Sequence, residues 1–234
     1  MAQVKYGSGV IQISGSIAGD VYARNRFGNY IRPRTKPVNP KSSRQIGIRV
    51  IMMFLAEQWR ESPMTDTIRE AWQTYASSVN WLNRLGEQVT LTGFNMFIQC
   101  NSARLTAGGS LITAAPTVLG LPPGDPTFAV AGSASTQELS VTFDPLFDWN
   151  IIDDGLMSVY MGRPQSPSRN FFGGPYRFAD AIEGDTASPP TSPATMTAPF
   201  TLVEGQKIWC EARIQEADCR VGTRFGAVPF LCGA

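Results

Sequence analysis

The residues best fitted to chemistry lie in "DVYARNRFGNYIRPRTKPVNP", Asp20 to Pro40, where five Lys or Arg follow a single acid. Tyr22, Arg24, Arg26, Phe27, Tyr30, Ile31, Arg32 and Arg34 interleave guanidinium groups with rings and an aliphatic side chain. A guanidinium pairs with carboxylate or phosphate, and a ring stacks on a base or buries against protein. An acidic protein surface and a nucleic acid both fit that pattern. Other chemistry has less to work with. The chain has no histidine, which removes Ser–His and Cys–His nucleophile pairs. Cys100, Cys210, Cys219 and Cys232 form no CxxC pair, and without histidine the usual zinc ligand sets are missing. Cys210 and Cys219 could bridge across a hairpin, but reduced thiols suit a cytoplasmic product better. No phosphate-cradling GxxxxGK[ST] or GxGxxG run follows a strand. "DWNIIDDG", Asp148 to Gly155, gathers three acids without the spacing or the distal glutamate of a calcium loop, and reads as a strand-connecting turn. Any two acids can meet in space, so paired carboxylates for glycoside cleavage stay open, with nothing in their favour. We therefore expect no catalytic residue, no metal and no cofactor, and the chain does not read as an enzyme.

Charge divides the chain more sharply than hydrophobicity does. The net charge of +1 over 234 residues hides a basic head and an acidic tail. Residues 1–50 hold nine Lys or Arg against Asp20 alone, a net +8, whereas residues 111–234 hold seven against thirteen acids, a net −6. Such asymmetry concerns partners rather than fold. With 43% hydrophobic and 17% charged residues, the chain can bury real cores. Its longest apolar run, Val50 to Ala56, is far too short to span a bilayer, and no Sec-type signal is visible at the N-terminus. The expectation is a protein without a membrane partner, made in a cytoplasm.

The elements that position the basic arm follow from local signals. "VYARNRF" and "YIRPR" predict a hairpin with Gly28-Asn29 at the centre of a type II′ turn, which sets Phe27 opposite Tyr30. Pro33 is tolerated where its strand faces an edge, and Pro37 and Pro40 keep the following residues extended. Ser42 or Ser43 caps a helix running to about Trp59, with Val50, Ile51, Phe54 and Leu55 on one stripe, and Ser62-Pro63 breaks it. A second helix starts near Thr65 with Ile68, Ala71, Trp72, Tyr75, Ala76 and Val79 at helical spacing. A third follows Thr92, carries Phe94, Phe97, Ile98 and Leu105, and stops at Gly108-Gly109. From Pro116 on, "TFAVAG", "ELSVTF", "LMSVYMG", "YRFADAI", "ATMTAPFTL", "KIWCEARI" and "VGTRFGAVPF" predict seven short strands at sandwich-like spacing. The fold class expected is α+β in two domains. Residues 1–40 form an extended basic hairpin arm, 41–112 a small helical body and 113–234 an antiparallel β-sandwich.

Two resemblances bear on these parts. "LSVTFDP" and "LVEGQKIWCEARI" resemble the B strand and the E–F corner of a fibronectin type III or immunoglobulin-like domain, over roughly Pro116 to Phe230. Phe143 stands where that family usually has Trp, and Ile208 where it has the corner Tyr. The N-terminal half resembles a family of uncharacterised phage and prophage virion-associated proteins over about residues 7–105. The shared features are an I-R-x-R strand (Ile31, Arg32, Arg34) and an N-P-x-[ST]-x-x-Q helix start (Asn39, Pro40, Ser42, Gln45). A Trp-containing second helix (Trp72) and a [ST]-G-[FY]-N-x-F segment (Thr92, Gly93, Phe94, Asn95, Phe97) complete them. The resemblance implies a phage virion structural protein, a capsid decoration or minor capsid protein, assembled in the host cytoplasm. It would attach through the arm to the major capsid protein or to neighbouring copies of itself and display the sandwich. A tail, neck or fibre component is the alternative within the class. From another class, a nucleic-acid-binding protein using the basic arm competes, with DNA as the less favoured partner.

Overall fold

Asn25-Arg26-Phe27-Gly28 decides how the arm folds. The structure, a computed structural model, describes residues 2–61, 63–83 and 85–234. In it Asn25 pairs with Gly28, leaving Arg26 and Phe27 as the two turn residues. The Asn25 Oδ1 accepts the Phe27 N–H at 2.9 Å, and Gly28 takes φ +114°, a conformation open to glycine. Asn at the first and Gly at the fourth position is the pattern of a type I turn. This corrects the expected register, because the turn centre lies two residues earlier and Tyr30 faces Ala23 rather than Phe27. The hairpin strands β3 (Asp20–Asn25) and β4 (Gly28–Pro33) form the middle of a four-stranded antiparallel sheet. The short β1 (Ala2–Val4) and β2 (Gly15–Ile17) flank them in the order β1-β4-β3-β2. Among the described residues β1 pairs with 29–31 only, so Pro33 is unpaired on that side, as its missing N–H requires.

Three capped helices follow. α1 (Ser43–Gln58), α2 (Asp66–Ser78) and α3 (Gly93–Ala107) start at Ser42, Thr65 and Thr92, whose hydroxyls accept the N–H three residues on. Each cap satisfies one of the donors that a helix N-terminus leaves unpaired. α3 ends where Gly108 turns left-handed at φ +95°. Trp72, Tyr75 and Ala76 of α2 bury against Met96, Phe97 and Cys100 of α3 and Leu55 of α1. The rings of Trp59 and Trp72 lie 5.3 and 5.5 Å from that of Phe97. The expected α1 stripe is corrected, since Leu55 is buried and Ile51 half-buried while Val50 and Phe54 stay exposed. Ala71 of α2 and Phe94 of α3 are likewise exposed. The expected break at Ser62-Pro63 falls partly outside the described residues. Between α2 and α3, β5 (Trp81–Leu82) pairs with β6 (Gln88–Val89) as a small hairpin that sequence gives no signal for.

Each of the seven predicted strand segments contains a strand. β7 (Ala129–Ser133), β8 (Glu138–Thr142) and β11 (Ala194–Thr197) form one antiparallel sheet in the order β11-β8-β7. β9 (Leu156–Gly162), β10 (Tyr176–Glu183), β13 (Cys210–Gln215) and β14 (Phe225–Gly226) form another in the order β10-β9-β13-β14. β12 (Lys207–Ile208) and β15 (Phe230–Leu231) pair separately. Leu139, Val141 and Met196 of the first sheet share one core with Met157, Val159, Met161, Ala212 and Ile214 of the second. The "DWNIIDDG" segment, expected as a plain turn, instead carries the one-turn helix α4 (Asp148–Ile151) and sinks Trp149 into this core. The whole is a mixed α+β fold with several antiparallel sheets.

The helical core is closed by residues from the far end of the chain. Cys219 and Val221, beyond β13, bury among Trp72, Tyr75, Phe97 and Cys100. The Gln215 side chain donates to the Cys100 carbonyl at 3.0 Å. Trp72 Nε1 donates to the Thr113 carbonyl and the Tyr75 hydroxyl to that of Gly120, at 2.9 and 3.2 Å. Arg104, fully buried, donates to the Ser110 and Asp154 carbonyls at 2.8 and 2.7 Å and forms an ion pair with the Asp154 carboxylate.

Candidate functional site

Pairing partners in an antiparallel ladder share a face, and neighbours along a strand alternate. The register therefore sorts the eight arm residues. Tyr22 opposite Ile31, with Arg24 beside them, lies on one face together with Ala2, Val4 and Ile17. Tyr30 and Arg32 lie on the other, Arg26 and Phe27 sit in the turn, and Arg34 follows the end of β4. The sheet thus brings Tyr22, Arg24 and Ile31 together and separates them from Tyr30. Phe27 and Tyr30 turn toward the β5–β6 hairpin, where with Gln3, Leu82, Val89 and Leu91 they line a hollow of about 430 Å³. Lys5 forms an ion pair with Glu87 beside it. The Lys5 ammonium, with help from the Asn83 amide, holds the Glu87 carboxyl below its ordinary value.

None of the described residues 2–40 is buried. The face with Ala2, Val4, Ile17, Tyr22 and Ile31 is therefore uncovered, and a small sheet needs something for its apolar face to lie against. Arg24, Arg26, Arg32 and Arg34 are exposed, and among the described residues none of them makes an ion pair. The arm thus offers a face with Tyr22, Ile31 and the guanidinium of Arg24 that is turned away from the β5–β6 hairpin, while Tyr30 and Arg32 lie on the face toward it.

Beside the arm, α1 presents a second uncovered surface. Ile46, Ile48, Val50, Met52, Met53 and Phe54 are all exposed. Asn39, in the segment leading from the arm, accepts from Arg49 at 3.0 Å, and Arg44 donates to the Phe178 carbonyl on the edge strand β10 at 3.3 Å. Sequence reasoning treated α1 as an ordinary amphipathic helix and missed this surface. The signal was present: from Ile46 to Ala56 only Gly47 and Arg49 interrupt a run of apolar side chains. A helix apolar on every side has no solvent face.

The acidic tail is not uniform. Asp153, Asp154, Glu183 and Asp185 gather round one open hollow, where Asp153 is held below its ordinary value by accepting the Thr186 N–H at 2.7 Å. The four cysteines are free and buried, and burial pushes the Cys210 thiol up to about 12. A thiol so placed is no nucleophile at neutral pH. Among the described residues no His, Cys, Asp and Glu group has the arrangement to hold a metal ion, and no helix is long and apolar enough to cross a membrane. No family model, no curated protein and no solved structure matches the chain.

Proposed function

We propose that this chain is a structural protein of a phage virion, a capsid decoration or minor capsid protein assembled in the host cytoplasm. It holds to neighbouring virion protein through its N-terminal arm and displays its C-terminal part as a fibronectin III-like sandwich. One observation carries the attachment: residues 2–40 fold into a sheet with no buried residue, and its four arginines make no ion pair among the described residues. Such an element gains its stability from what it touches. Tyr22 and the aliphatic Ile31 supply area at such a contact, while the arginines steer encounter and fix register. The acidic tail, with its hollow of four carboxylates, supplies surface of the matching sign on a neighbouring copy.

Strand order supports the displayed domain. Lettered as in immunoglobulin-type folds, β7, β8, β9, β10, β11, β13 and β14 become A, B, C, C′, E, F and G. The sheets then read E-B-A and C′-C-F-G, a Greek-key sandwich order. Phe143, at the position where the resembling family has Trp, packs 5.2 Å from the ring of Trp149, so a core indole is supplied from α4 instead.

The test replaces Arg24, Arg26, Arg32 and Arg34 by alanine. The expected result is a folded protein lost from purified particles. Neutralising four phosphates would give a log–log salt slope of about −3.6 toward DNA, at roughly −0.9 per phosphate. Wild-type binding to duplex or single-stranded DNA at about 0.15 M salt with that slope, abolished in the variant, would assign the arm to nucleic acid instead.

A further inference from the structure

The first two turns of α1, residues 43–50, contain no buried or half-buried side chain. An isolated helical stretch of that length is marginal in water, and helices in proteins hold through a packed face. Only the stripe through Ile51 and Leu55 has one. On the opposite side Ile46, Val50 and Met53 follow each other at spacings of four and three, with Glu57 four residues further on. That is the seam of a short coiled coil. We propose that this seam docks antiparallel against α1 of a second copy of the chain, about a twofold axis beside Ile51 and Met52.

Charge selects that arrangement. Glu57 closes the seam at its C-terminal end and Arg49 lies beside it, and neither makes an ion pair among the described residues. A parallel pair would set Arg49 against Arg49 and Glu57 against Glu57. An antiparallel pair sets Val50 against the second copy's Met53 and brings Arg49 within one turn of the second copy's Glu57. Exposure supports a partner too. The three seam side chains Ile46, Val50 and Met53 are 48% to 58% exposed, and apolar side chains left bare together on a monomer mark an interaction surface. The occupant is not the chain's own arm or its neighbour's, since the arm and the helix it would cover both carry net positive charge.

Sedimentation of the full chain tests the pairing without reference to particles, so its outcome is separable from that of the virion proposal. The wild type is expected to dimerise, and Met53→Glu to be monomeric with unchanged circular dichroism and melting. Arg49→Glu and Glu57→Arg are each expected to weaken the dimer at least tenfold, and the double reversal Arg49→Glu/Glu57→Arg to restore it. A wild type that is monomeric up to about 100 μM, or a dimer indifferent to Met53→Glu, would overturn the proposal. A double reversal as weak as the single ones would overturn the antiparallel pairing.

Discussion

A methyl group on Gly93 would have nowhere to go. Its Cβ would stand 2.7 Å from the Gln73 backbone nitrogen and 3.0 Å from the Gln73 Cα, and the Gly93 N–H already donates to the Gln73 side chain at 2.9 Å. Backbone cannot yield as a side-chain tip can, so Gly93→Ala must push α3 off α2. We expect a loss of about 2–3 kcal/mol, the upper range for overpacking, read as a lower denaturation midpoint with an unchanged slope. This gives "TGFN" a physical meaning: Thr92 caps the helix and Gly93 lets its first turn lie on a neighbour's backbone. The cap is legible in sequence from residue type alone, while the close approach is not, because it depends on where α2 runs. Arg104 is a second case. Nothing in "SARL" distinguishes it from a solvated arginine, yet it is fully buried against Asp154, fifty residues away. Asp154 itself sits at φ +67°, which Asn tolerates as well. Asp154→Asn therefore tests the charge alone. Leaving the guanidinium buried with only carbonyl partners should cost about 3 kcal/mol in the same titration.

At the scale of elements, what the sequence resolves is whatever a local rule governs. The three helices appear where their caps predict them, and the strands of the C-terminal part where period-two runs predict them. The arm's register differs from the sequence expectation although its signal is complete: Asn25 and Gly28 bracket a type I turn, but Gly28-Asn29 resembles a type II′ centre more conspicuously. β1 and β2, three residues each, carry no periodicity and exist only because β3 and β4 offer edges to pair with. A one-sided apolar stripe is the usual outcome for a helix of this length, and α1 departs from it with apolar side chains on several sides. The arm's seat on the β5–β6 hairpin can be probed through Glu87. Its carboxyl is depressed in the folded chain, chiefly by Lys5, so the tie is fully present above the ordinary carboxylate value. It is lost as pH falls through the lower, folded one. Amide exchange at residues 2–4 and 87–89 should therefore quicken on acidification through that window beyond the intrinsic chemical trend. Glu87→Gln should show the quicker opening already at pH 7, and unchanged protection in that variant would mean the apolar hollow alone holds the arm.

For the whole molecule the decisive feature is that the helical core is not self-sufficient. Cys219 and Val221 from beyond β13 complete it, the Gln215 side chain is satisfied by the Cys100 carbonyl, and Arg104 is satisfied by Asp154. None of this is legible in the sequence, since the contacts join positions from 50 to 149 residues apart with no shared local pattern. The physical consequence is coupling: neither part can unfold without exposing apolar side chains and unpaired polar groups of the other. Residues 41–234 should then melt in one calorimetric transition whose van't Hoff and calorimetric enthalpies agree at about 135 kcal/mol near 60 °C, taking roughly 0.7 kcal/mol per residue. Independent units would instead melt separately, at about 50 kcal/mol for residues 41–112 and about 85 kcal/mol for 113–234. The same coupling predicts that residues 113–234 expressed alone melt lower than in the full chain. Their Cys219 thiol, now raised by its hydrogen bond with Cys100 and by burial, should react with a thiol reagent that the full-length native protein resists. Two resolved transitions, or a Cys219 equally protected in the isolated fragment, would show that the shared contacts carry no coupling.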